Sequence, residues 1–164
     1  MTQETEAESI ITDEMRASVG KESAPQTLEV TTTAIRMFAR AVGHTDQIYY
    51  DEAYAKSKGH RSIVAPPAFF GTGIYNPQSG GGGGGANQTL PNGRVLRGLD
   101  GGREFQYPGV EICAGDVLTA VSKTVDISER KSSLGMMLIT RRETAYTNQN
   151  GEVVARAYGT TLGY

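Results

Sequence analysis

The sequence predicts an α+β fold, with helices first and a long antiparallel sheet after them. Two observations carry this: apolar residues recur at helical spacing in the first half, and polar–apolar alternation dominates from about residue 94 onward. A third is the segment Asn148-Gln149-Asn150-Gly151 between two alternating runs, a hairpin signal because Asn and Gly tolerate positive φ.

Residues 1–20 are acidic and polar, with weak helical periodicity around Ile10, Ile11 and Met15, and read as a flexible tail or a loosely docked helix. A single domain over 21–164 follows. Gln26–Thr31 alternates and suits a short strand. Thr32 is placed to cap a helix whose apolar stripe is Ile35, Phe38, Ala39 and Val42, and Gly43 stops it. A loop then leads to a brief helix over 51–58, closed by Gly59, with Asp51 as its cap. After Pro66-Pro67, the run Ala68–Tyr75 is apolar nearly all round and predicts a buried helix.

Segment 76–93 contains six consecutive glycines, Gly80 to Gly85, and reads as a flexible loop. It is no phosphate cradle, since Ala86-Asn87-Gln88 follows where Gly-Lys-Ser/Thr would open a helix. A flap over a substrate entrance and a plain linker both remain open. Strands follow over 94–107, broken at Gly101-Gly102, then 116–127, 134–147 and 152–164. Gly101 and Gly102 suit a sheet bulge, and Arg103 and Glu104 suit cross-strand ion pairs.

The composition excludes several classes. A formal charge of -2 gives no electrostatic footprint for nucleic acid or an anionic membrane. No apolar run approaches the roughly 20 residues of a membrane helix, and the first twenty residues lack a signal peptide's basic and apolar regions, so a cytoplasmic location is expected. The single cysteine, Cys113, reads as a buried inert thiol, and no Cys/His cluster suggests a metal.

Three stretches together suggest chemistry: Gly43-His44-Thr45-Asp46-Gln47-Ile48-Tyr49-Tyr50-Asp51; Ile63-Val64-Ala65-Pro66-Pro67-Ala68-Phe69-Phe70; and Leu99-Asp100-Gly101-Gly102-Arg103-Glu104-Phe105 followed by Ala114-Gly115-Asp116-Val117-Leu118. In order and spacing they resemble the MaoC-like (R)-specific hydratase/dehydratase family. The first is similar to its Gly-Asp-x-Asn-Pro-Ile-His-x-Asp loop. The others resemble the Ala-Pro-Pro helix entry and the His-Gly-Gly-x-Glu-Phe and Ala-Gly-Asp-x-Leu strand signatures of its N-terminal, FAS1-like dehydratase domain. The resemblance runs from about Val19 to Tyr164.

It implies a hot-dog fold, a long central helix wrapped by a curved antiparallel sheet, and the addition or removal of water across the double bond of an acyl thioester. That chemistry takes a carboxylate–imidazole pair to hold the water and a backbone N–H to polarise the thioester carbonyl. This chain departs at those positions. His44 stands for the aspartate and Tyr49 for the histidine, and Pro66 or Pro67 falls near the expected donor, where proline has no N–H to give. The expectation is a substrate-binding subunit that lacks the chemical step, similar to the non-catalytic chain of heterodimeric mycobacterial 3-hydroxyacyl-thioester dehydratases.

A MaoC-like catalytic partner, in a heterodimer or heterotetramer, then brings the missing pair. Coenzyme A or acyl carrier protein is the substrate carrier, and no cofactor or metal is implied. Expected substrate-binding residues are Tyr49, Ala65, Pro66, Pro67, Phe69, Phe70, Gly101 and Gly102. Two alternatives stay open: a non-enzymatic acyl-thioester-binding homodimer, and an active homodimer using His44 with Asp46. Asp46 otherwise reads as a loop cap. His60 and Arg61 read as exposed, with Arg61 a solvated charge or a contact for a carrier phosphate.

Overall fold

The computed structural model describes residues 9–74, 88–133 and 135–164, with Gln88 described by its backbone alone. The first eight residues of the acidic segment, Tyr75 and the Gly80–Gly85 run lie outside the described residues. The elements in chain order are α1 (Asp13–Ser18), β1 (Gln26–Glu29), α2 (Thr32–Ala41), a 3-10 turn (Gln47–Tyr49), α3 (Glu52–Ser57), β2 (Thr72–Gly73), β3 (Gln88–Thr89), β4 (Val95–Leu96), β5 (Gly98–Gln106), β6 (Val117–Ser132), β7 (Gly135–Thr147) and β8 (Val153–Gly163). Six strands form one antiparallel sheet in the order β2-β1-β6-β7-β8-β5, and β3 pairs with β4 beside it.

The long β6–β7 hairpin is the backbone of the sheet. Its bulge between Thr124 and Asp126 keeps Leu118, Ala120, Ser122, Ile127, Leu138, Arg142, Thr144 and Tyr146 on one face, because one extra residue restores the alternation beyond it. Two apolar clusters pack on that concave face. One joins Leu28, Val30, Ile35, Ile63, Phe69, Phe70, Leu118 and Ala155 near the helices. The other joins Met15, Leu90, Leu96 and Leu138 at the far end, so the α1 segment is docked through Met15.

The hairpin at Asn148–Gly151 forms as expected, with Gly151 at φ +81 and the Asn148 side-chain oxygen accepting from the Asn150 and Glu152 amides. Asp51 caps α3 by accepting from the Tyr54 amide. The cap of α2 is Thr31 rather than Thr32: its hydroxyl accepts from the Ala34 amide, and Val30 and Ile35 flank it in the same cluster. Val42, expected on the buried stripe, is exposed because α2 ends before it.

The largest correction concerns the segment after the two prolines. The helix predicted from Ala68 does not form over residues 68–74, and the longest α-helix among the described residues is α2, with 10 residues. Ala68 lies at φ +69 and Gly71 at φ +90, both outside the right-handed helical region. The backbone there passes so close to β1 that a Cβ on Gly71 would sit 2.8 Å from the Glu29 carbonyl oxygen. The glycines serve a close crossing onto β1, where Thr72 and Gly73 pair with Glu29 and Leu28. Of the expected buried helix, only the burial of Phe69 and Phe70 is realised; Ala68 and residues 72–74 are exposed.

Candidate functional site

Gly43, at φ +79, turns the chain out of α2 into the loop that carries His44 and Tyr49. The loop is pinned from three sides. The Tyr50 hydroxyl donates to the His44 carbonyl at 2.6 Å, Arg36 donates from Nε and Nη2 to the Tyr50 carbonyl at 2.9 and 2.7 Å, and Asp46 Oδ1 accepts from the Ile48 amide. Asp46 is thus a loop cap. The His44 and Tyr49 rings lie against each other, centroids 5.1 Å apart and tilted by 39°. Among the described residues no carboxylate is hydrogen-bonded to the His44 ring, so the loop holds an imidazole–phenol pair. Burial, and then the Asp46 charge, push the Tyr49 phenol above its ordinary value, so it stays protonated at neutral pH.

Tyr49, Ala65, Pro66 and Pro67 come together around a mainly apolar cavity of about 310 Å³, closed on its other side by Tyr107 and Val110. Phe69 and Phe70 are elsewhere: both are buried in the core and line a second cavity, about 700 Å³, on the concave face beside Leu28 and Tyr146. Phe70 connects the two regions. It stacks on Tyr146 (centroids 4.2 Å) and on Tyr107 (6.2 Å). Gly101 and Gly102 belong to neither cavity; they sit at the bulge of edge strand β5, where the register shifts and the Asp100 carboxylate accepts from the Gly102 amide.

Two features were missed by the sequence reasoning. The amide of Ala68, the first N–H after the two prolines, donates to the Tyr107 hydroxyl at 2.8 Å. A non-glycine residue in the left-handed region is strained by about 1 kcal/mol. The alternation Arg103, Phe105, Tyr107 was the signal that places Tyr107 on the concave side. The second feature is Asp116, only 2% exposed. Its carboxylate accepts from the Cys113 amide (2.8 Å), Gln149 Nε2 (3.1 Å) and both terminal nitrogens of Arg61 (2.9 and 3.3 Å). Burial alone would raise this carboxyl, but the bonds from Arg61, the Cys113 amide and Gln149 outweigh it and hold it below the ordinary range.

Arg61 is exposed, as expected, and it is also paired: its terminal nitrogens donate to Asp116 and to the Glu111 carbonyl. His60 is engaged by Glu111, Nδ1 to Oε1 at 2.7 Å. Cys113 is fully buried, and burial pushes its thiol up, away from reactivity. Among the described residues no group of three or more His, Cys, Asp or Glu side chains is placed to hold a metal, and no helix is long and apolar enough to cross a membrane.

A curled antiparallel half-barrel sheet with few helices, and a proline-rich turn beside an aromatic loop, define the class: a hot-dog protein. The structure is similar to one chain of the truncated HadBC (3R-hydroxyacyl-ACP dehydratase) complex from Mycobacterium tuberculosis, with 22% identity, a TM-score of 0.65 and coverage of 89% of this chain and 97% of that one. It is also similar to a chain of the ChsH1-ChsH2 complex from the same organism (20% identity, TM-score 0.63, 87% and 88% covered) and to a MaoC-like dehydratase from Rhodospirillum rubrum (19%, 0.59, 89% and 92%). The family model of the FAS1-like dehydratase domain region matches residues 17–157, and the chain belongs to that family. Its relatives include the UPF0336 proteins of Thermobifida fusca (32% identical over 138 residues, 79% of this chain and 80% of that one) and Parafrankia sp. (34% over 127 residues, 74% of each).

Proposed function

We propose that this chain is the substrate-binding subunit of a heteromeric enoyl-thioester hydratase or 3-hydroxyacyl-thioester dehydratase, and that a MaoC-like partner chain supplies the aspartate–histidine pair. The observation that carries this reading is the imidazole–phenol pair in the loop where family members that do the chemistry place a carboxylate and an imidazole. Hydration needs a base to take a proton from water as its oxygen attacks the β-carbon, an acid to protonate the α-carbon, and a donor for the thioester oxygen. A neutral Tyr49 phenol is a hydrogen-bond donor, not a base. The Ala68 amide is already engaged by Tyr107.

The acyl-binding role rests on the cavities. A thioester head at Tyr49, Ala65, Pro66 and Pro67 would run past Phe70 toward the larger concave cavity. Coenzyme A or acyl carrier protein is the carrier, and no cofactor takes part. Two of the similar structures, the ChsH1-ChsH2 and HadBC complexes, are assemblies of differently named chains, which supports a partnered subunit.

The test is reconstitution. The purified chain, a MaoC-like protein with an intact Gly-Asp…His loop, and their mixture are each assayed for hydration of crotonyl-CoA. The reading requires the mixture to exceed both components, with the chain alone at least about 100-fold slower than the mixture. Turnover by the chain alone at the mixture's rate, abolished in His44→Ala, would instead establish the active homodimer. Tight acyl-CoA binding by a homodimer that stimulates no such partner would establish the non-enzymatic binder.

A further inference from the structure

The middle of the concave face is polar where the two apolar clusters leave it uncovered among the described residues. Three neighbouring strands meet there in register. Gly159 on β8 pairs with Arg103 on β5 and with Arg142 on β7, so the two arginines flank a residue without a side chain, roughly two strand spacings or about 10 Å apart. Both line one cavity of about 410 Å³ together with Asp100 and Thr161, and its other end is Phe70, Phe105 and Tyr146.

Three details distinguish this from an incidental surface. Gly159 does not adopt positive φ, and a Cβ built on it would meet nothing within 4 Å, so neither backbone conformation nor packing demands glycine there. What its absence of a side chain provides is open space between two guanidiniums. Arg142 has no hydrogen-bonded or ionic partner among the described residues, whereas its neighbour Arg141, on the opposite face, is paired with Glu104 at 3.2 Å and lies over the Tyr158 ring. Arg103 is half committed: its Nε donates to Asp100 Oδ2 at 3.1 Å, which leaves its terminal nitrogens available. Two arginines against one aspartate make a net single positive charge, at one end of a cavity whose other end is aromatic.

We infer that this cavity binds the carboxylate of an apolar-bodied ligand, with the carboxylate between Arg142 and Arg103 over Gly159 and the apolar body against Phe70, Phe105 and Tyr146. Arginine suits the task because its planar fork matches a carboxylate in two parallel hydrogen bonds. The inference does not depend on the proposed thioester role. The carboxylate is either that of a free acid or the far end of an acyl group whose thioester sits beyond Phe70.

The experiment is calorimetric titration of the full chain with decanoate and with uncharged methyl decanoate. Decanoate should bind and weaken with salt, the methyl ester should bind at least about tenfold more weakly, and Arg142→Ala should lose about tenfold. Gly159→Val should abolish binding while the circular dichroism spectrum is kept and the melting temperature is not lowered, because the new side chain enters open space. Equal binding of acid and ester, no decanoate binding, or unchanged affinity in Gly159→Val would each overturn the site. A further arm compares suberyl-CoA with octanoyl-CoA. Tighter, Arg142-dependent binding of the former assigns the slot to the far end of an acyl chain; equal affinity, with decanoate still bound, assigns it to free acids.

Discussion

Asp116 and Arg142 are both charged side chains on the β6–β7 hairpin region, and their surroundings are opposite. Asp116 is buried and saturated: a backbone amide, an amide side chain and a guanidinium fill its oxygens and stitch three separate loops together. Arg142 is exposed, faces a cavity and finds no partner among the described residues. The charges of the convex face fall between them. Arg156 and Lys123 both reach the mostly buried Glu143, and Arg141 reaches Glu104 in an exposed pair that solvent screens. A charge completed inside the molecule serves the fold, and one left open over a cavity is free to serve a ligand.

The contrast makes quantitative demands on stability. The largest effect should come from Asp116→Ala, which strands the Cys113 amide and leaves Arg61 without its carboxylate: a loss of about 3 kcal/mol in urea unfolding. A loss under about 1 kcal/mol would mean that the buried network is not what holds these loops.

Acid should dismantle the same network. The Asp116 carboxyl is held below its ordinary value in the folded protein. Its contribution is therefore fully present above the unfolded carboxylate value of about 3.9, and is lost as pH falls through the lower folded value. Urea midpoints followed from pH 6 to pH 2 should drop below about pH 4, with a shallower drop in Asp116→Asn.

The smallest effects belong to the open side. Arg142→Ala should change stability by less than about 0.5 kcal/mol, as expected for an unpaired surface residue. Gly159→Val should be neutral or stabilising by up to about 1 kcal/mol, since glycine is costly within a strand. Thermal melts of the two variants side by side check both figures, and destabilisation of either by 2 kcal/mol would erase the distinction between the two regions.

How legible this was depended on the range of the interaction. That Leu118 and Ala120 share one strand face was readable, because alternation is a property of consecutive residues; that this face is the buried one was decided by the structure. The Asp51 cap and the Asn148–Gly151 hairpin were readable for the same reason: a capping oxygen reaches an amide three residues on, and a turn closes within four. The stretch after Pro67 was not. Its apolarity marked Phe69 and Phe70 as buried, yet that suits a helix and an irregular crossing equally, and the deciding contact is with Glu29, more than forty residues away in the chain. The pairing of Arg61 was likewise not readable, because its carboxylate lies 55 positions on.

The sequence by itself determined the strand alternation, the caps and turns, the family resemblance, and the presence of His44 and Tyr49 where a catalytic pair would stand. Each of these is written in neighbouring residues or in a recognisable order of motifs. Only the tertiary structure decided that Tyr107 holds the Ala68 amide, that Asp116 closes on Arg61, and that Arg103, Gly159 and Arg142 line up across three strands. Those juxtapositions follow from register and crossing geometry, which bring together residues that share no local pattern.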